Sequence, residues 1–127
     1  RMSTARTVPP LGRVLTPRAA AEITRMTAVE GRPLGGEVQL RTLMATPSML
    51  FVETTFAAGQ ASKPHVHADH ESIVYVVSGK VRVTIAGEVF IAGPGDTWYN
   101  APGVEHHIEA LEPTVSVEVK SPPIRAW

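Results

Sequence analysis

All five histidines of this 127-residue chain fall in two short stretches. His65, His67 and His70 lie in residues 59–79, GQASKPHVHADHESIVYVVSG, with Glu71 directly behind them. His106 and His107 close residues 95–107, GDTWYNAPGVEHH. Neutral imidazole is the commonest protein ligand for a transition metal. In extended chain, residues two apart share a face, so His65 and His67 can reach one point. A metal ion needs a third donor and usually a fourth. His106 follows a Gly95-Asp96 turn and a Pro102-Gly103 turn, which is how a neighbouring strand is brought alongside. Histidines at the surface, or hydrogen-bonded without a metal, are the plainer reading of a lone His-x-His. Two segments that hold every histidine favour a metal site instead. His70 is out of phase with the pair and reads as a hydrogen-bonded or surface residue. His107, next to His106, points the other way and reads as structural or as part of a rim.

The elements that must position these side chains are short strands. Residues 38–44 and 49–56 alternate and favour strands, with Thr46-Pro47-Ser48 as the turn between them. Arg41 and Glu53 lie mid-strand and read as a solvated face. Residues 73–77 read as a buried strand. Residues 81–85 and 89–91 form a hairpin around Gly87. Residues 114–120 form a last strand in which Val115, Val117 and Val119 alternate with Ser116, Glu118 and Lys120. Glu118 therefore faces either solvent or an open cavity. Trp98, Tyr99 and Asn100 precede the second turn, and some of them should face that cavity, chiefly as packing. Upstream, Thr16-Pro17 before an alanine-rich run predicts a short helix to about Met26. The expected organisation is an N-terminal arm with a short helix over 1–34 and a single all-β barrel over 35–127.

Gly59, five residues, His65-x-His67, an acid a few residues on and Gly79 after the strand resemble the first motif of the cupin superfamily. Gly95-Asp96, Pro102-Gly103 and His106 resemble the second. The resemblance spans 59–107 and implies a small cupin-type β-barrel (jelly roll). It also implies one divalent transition metal per chain, with His65, His67 and His106 as ligands. Counting back from Gly79, the family's Glu or Gln ligand slot falls on Ser72, with Glu71 one place early. Glu71 either reaches the metal through a local bulge, giving a three-histidine, one-glutamate site, or leaves an open three-histidine site. In the latter case it serves as a hydrogen-bonding partner or a base. In the second motif the family's proline slot is Ala101, and the proline follows at Pro102. Three imidazoles with an optional carboxylate suit Fe, Zn, Ni, Mn or Cu alike.

The tail, residues 117–125, is similar to that of the cupins that linearise unsaturated uronates in pectin and alginate breakdown. Those carry an acid on the last strand and an arginine just after a Ser-Pro turn. Glu118 and Arg125 fall on these positions, Arg125 after one extra residue. The resemblance implies catalytic roles for both. Where those proteins have an aromatic two places after the acid, this chain has Lys120.

Twelve basic and twelve acidic residues leave no net charge, so no global field draws the chain to nucleic acid or an anionic membrane. Cysteine is absent, which excludes disulfides and thiolate ligands. No apolar run approaches the length of a membrane span. Without a charged-then-apolar leader the sequence reads as cytoplasmic. Cupins of this size usually pair, so a homodimer joined partly by the N-terminal arm is expected, acting on a small-molecule substrate. Three functions compete. One is non-redox isomerisation, tautomerisation or ring opening of a sugar-acid or enolic substrate, with Glu118 moving a proton and Arg125 holding a carboxylate. Another is a three-histidine Fe(II) dioxygenase acting on a dicarbonyl or enolic substrate. The third is a non-catalytic small-ligand binding module.

Overall fold

The computed structural model describes residues 6–127. Among the described residues its regular structure includes nine strands and a 3-10 turn at Arg18–Ala20. The strands are β1 (Glu22–Val29), β2 (Arg32–Ala45), β3 (Leu50–Phe56), β4 (Glu71–Ser78) and β5 (Val81–Ile85). β6 (Glu88–Ala92), β7 (Thr97–Asn100), β8 (His106–Ala110) and β9 (Thr114–Ser121) complete them. They pair antiparallel into a six-stranded sheet, order β1-β2-β3-β9-β4-β7, and a three-stranded sheet, order β6-β5-β8. The architecture is a small all-β jelly roll. Among the described residues no helix is long and apolar enough to cross a membrane.

The predicted helix to Met26 is corrected by the structure. Only Arg18–Ala20 make a helical turn, and Pro17 supplies no side-chain cap. Residues 22–29, EITRMTAV, are rich in β-branched side chains and pair with β2 from Glu22↔Thr42 to Val29↔Arg32. A good local helix start loses here to ladder hydrogen bonds and to burial of Met26. Strand β1 and the first residues of β2 thus lie within 1–34, so the large sheet begins inside the stretch read as an arm. The first five residues of that arm lie outside the described residues. Beyond them, Val8 N–H donates to the Pro123 carbonyl (2.8 Å), tying the arm to the tail of its own chain.

Leu50 and Val52 of the large sheet and Val81 and Val83 of the small one meet in the core, each at 1% exposure or less. Residues 73–77 are predicted to be buried, yet β4 is buried on one face only. Val74 and Val76 turn inward, while Ile73, Tyr75 and Val77 are about half exposed. The last strand follows the same rule with its chemistry inverted. Thr114, Ser116 and Lys120 are buried, whereas Val115, Val117 and Val119 lie on the outer face. The polar parity of β9 is the inward one, and that decides where Glu118 goes.

Candidate metal centre

Backbone hydrogen bonds assemble the two histidine segments. His65 and His106 exchange N–H···O bonds in both directions, at 3.1 and 3.0 Å, and Gly103 N–H donates to the His67 carbonyl at 2.9 Å. The three side chains are 4–7% exposed. Their ring centroids form a triangle with sides of 4.4, 4.8 and 4.8 Å. One nitrogen from each ring lies within 4.8 Å of the others.

Hydrogen bonding says which nitrogen that is. Nδ1 of His65 donates to the Lys63 carbonyl (2.7 Å), and Nδ1 of His106 to the Val104 carbonyl (3.1 Å). Nδ1 of His67 donates to the Glu30 carboxylate (2.6 Å). Carbonyl and carboxylate oxygens only accept, so each Nδ1 carries the proton and each Nε2 keeps a lone pair. Three oriented Nε2 lone pairs are the donor set a borderline divalent ion takes, with outer partners that hold each ring in place. The residues fit a single such ion.

Glu30 had no sequence signal. It sits with Gly31 in the β1–β2 turn, both at positive φ, and is brought to His67 by the pairing of those strands. Arg6 bridges Glu30 (2.7 Å) and Asp69 (2.9 Å), and Asp69 accepts from His70 Nδ1 (2.9 Å). His70 is therefore no surface residue. It is 2% exposed, its ring centroid is 4.4 Å from that of His67, and its Nε2 has no partner among the described residues. His107 is half-buried on β8 and lies outside the cluster.

The structure does not bring Glu71 to the histidines. The parity of β4 turns it to the outer surface, where its carboxylate accepts from the Tyr99 hydroxyl (2.9 Å). Ser72 takes the inward position, 2% exposed, with its hydroxyl accepting from Asn100 Nδ2 (3.1 Å). Glu118 lines the same cavity as the three histidines, together with Trp98, Asn100 and Lys120. Arg125 does not line it; the tail contributes Ala126 and Trp127 instead. Arg41 and Glu53 also lie away from the cavity, and Glu53 pairs with Arg18 at 2.7 Å. The cavity is about 80 Å³. On a scale where one water needs roughly 10–15 Å³, that admits several water-sized groups.

Burial pushes His65 down to about 4, with the charges of His106 and Lys120 adding to it. Burial also lowers His67, His70 and His106, and the Lys120 charge works in the same direction on all three. These rings are neutral and ready to bind a cation at neutral pH. Between the unfolded value of 6.5 and about 4, the unfolded chain binds the protons that folded His65 refuses. Stability is therefore present above the unfolded value and is lost as pH falls through that window, by up to about 1.4 kcal/mol per pH unit per histidine. In metal-free protein the urea midpoint should be lower at about pH 5 than at about pH 7.5. An equal or higher midpoint at the acid pH would contradict burial of neutral rings.

The comparisons with known proteins agree with this arrangement. A model of the Cupin domain matches residues 52–119. Over 81 residues the chain is 36% identical to oxalate decarboxylase OxdC of Bacillus subtilis, covering 60% of this chain and 21% of that protein. The chain thus spans about a fifth of that relative's length, 21%. KdgF from Halomonas sp. superposes with a TM-score of 0.65 at 32% identity, over 67% of this chain and 78% of that one. An RmlC-like cupin from Shewanella frigidimarina matches with a TM-score of 0.75 at 20% identity, over 87% and 92% of the two chains. The histidine triangle, the jelly roll and a domain match over more than half of the residues lead to one assignment: the chain belongs to the cupin family.

Proposed function

We propose that this cupin binds one divalent transition metal through His65, His67 and His106 and catalyses a non-redox isomerisation, tautomerisation or ring opening of a small sugar-acid or enolic substrate. The observation that carries the reading is the placement of Glu118 on the wall of the histidine cavity. A divalent ion held there supplies Lewis acidity toward a carbonyl or enol oxygen. Glu118 takes the proton from the carbon beside that carbonyl, the C–H electron pair becomes the enol double bond as the carbonyl π pair moves onto its oxygen, and the proton is returned at the neighbouring carbon. Trp98 and Val74 give the wall beside Glu118 an apolar surface. The likeness of the tail to uronate-linearising cupins, and the 32% identity to KdgF, point the same way. Arg125, lying off the cavity wall, has a weaker claim to the substrate than the tail resemblance implies.

A second reading has its own support. With Glu71 turned outward and Ser72 in the ligand slot, the donor set is three histidines without a carboxylate, which suits an Fe(II) dioxygenase. Glu118→Gln separates the two. The first reading expects full metal content with turnover reduced roughly 100-fold or more, and no oxygen uptake in the wild type. Substrate-dependent oxygen consumption after Fe(II) loading would instead establish the dioxygenase. Ligand affinity without product under any metal would leave a binding module.

We further propose a homodimer. Ile73, Tyr75, Val77 and Tyr99 form a half-exposed apolar strip on the outer face of the large sheet, which a second copy of the chain would cover. Sedimentation should give twice the chain mass of 13.6 kDa. A monomer at micromolar concentration would rule this out.

A further inference from the structure

The inner face of the large sheet carries a polar row at the end nearest the histidines. Ser72 of β4 lies opposite Asn100 on one side and Lys120 of β9 on the other. The next row inward holds Trp98, Val74 and Glu118. Ser72 is where the family's fourth ligand is expected, and its short side chain leaves that space to its neighbours. Lys120 is 4% exposed and lines the cavity. A buried ammonium is normally paired, because stripping its hydration without compensation is costly. Among the described residues no carboxylate pairs with Lys120. Its nitrogen lies over the Trp127 ring, 5.2 Å from the centroid, a contact that shields the charge without neutralising it. Glu118 shares its face two residues away but forms no ion pair with it. Asn100 Oδ1, also buried and on the cavity wall, has no donor among the described residues. A cavity that holds an unpaired cation and an open acceptor is complementary to an acid that also carries a hydroxyl.

We infer that Lys120 is the anion anchor of this cavity, and that the ligand it takes is a small hydroxy or enol acid whose carboxylate meets the Lys120 ammonium. Lys120 lines the same cavity as His65, His67 and His106. The inference rests on the metal-centre reading for the orientation of the acid, whose second oxygen then faces the histidines. It does not need the metal for the anion itself. It also assigns the carboxylate-holding role to a residue inside the cavity, where the tail resemblance had pointed to Arg125 outside it.

Calorimetric titration tests it with matched pairs: glycolate against glycolamide, and D-galacturonate against D-galactose. Each pair is run on zinc-loaded and on chelator-treated protein, with zinc content measured on the same samples. At least one acid should bind about tenfold or more tighter than its neutral counterpart, as expected for a charged hydrogen bond. Lys120→Met should abolish that preference while leaving zinc content and binding of the neutral compounds unchanged, and Lys120→Arg should retain it. A role for Lys120 in folding alone would move all four affinities together. If neither acid outbinds its neutral counterpart in the wild type, or if Lys120→Met keeps the preference, the inference is overturned. Should Lys120→Met not fold, the wild-type pairs and Lys120→Arg still decide. Acid preference in protein that takes up no zinc on loading would remove the metal reading and leave the anchor standing; zinc uptake without acid preference would do the reverse.

Discussion

Replacing His67 by alanine should abolish stoichiometric metal binding. His67 is 4% exposed and faces both His65 and His106, so its loss opens one corner of the triangle. Its Nδ1 is held by Glu30 at 2.6 Å, and Glu30 is itself held by Arg6 at 2.7 Å, so the ring is oriented before any ion arrives. Loss of an outer partner of a metal-binding histidine alone weakens affinity roughly 10–100-fold, and loss of the ligand should exceed about 100-fold. Metal content after dialysis measures this directly. The fold should survive, because the Glu30 carboxylate keeps its Arg6 partner when the imidazole is gone. A His67→Ala protein that still holds one ion per chain would mean that the triangle is not the site.

Gly79→Ala should be the most damaging small substitution in the chain. Gly79 follows β4 at φ +94, a conformation that L residues rarely adopt. A Cβ there would collide with the Pro113 carbonyl and the Thr114 side chain, and would come within 2.6 Å of Thr114 Cα. Thr114 cannot yield. It is 1% exposed, and its hydroxyl accepts from Lys80 N–H (3.2 Å) and donates to the Glu112 carbonyl (2.8 Å). Strain at positive φ costs about 1–3 kcal/mol, and the backbone collision adds to it. Against a total stability of about 5–15 kcal/mol, a loss above about 3 kcal/mol would show as a large fall in urea midpoint or as insoluble protein. Gly87→Ala is the control. Gly87 also has positive φ, +82, but nothing lies within 4 Å of its added methyl, so only the strain is felt. Equal, small losses in both variants would show that the contact at Gly79 relaxes.

Gly79 and the His65-x-His67 pair belong to one continuous stretch, and their roles follow from chain distance and strand parity. The same is true of His106 after its paired turns, whereas for Glu118 among the valines of β9 parity left solvent and cavity both open. The cupin resemblance rested on these positions, and the jelly roll and the histidine triangle agree with it.

What the residues determined alone was the period: which side chains share a face, where the turns fall, and that every histidine sits beside a strand. Which face is inward was decided by the tertiary structure, because parity is local while inside and outside are set by sheet pairing. The valines of β9 went out and its polar residues in, carrying Lys120 into the cavity with Glu118. The same parity on β4 sent Glu71 out to Tyr99 and Ser72 in to Asn100. Residues 22–29 became a strand because β2 was there to pair with them. Glu30 reached His67 across 37 residues of chain only because that hairpin carries its turn to the histidines. Contacts of that kind depend on which strands meet, and no short stretch of sequence contains the information.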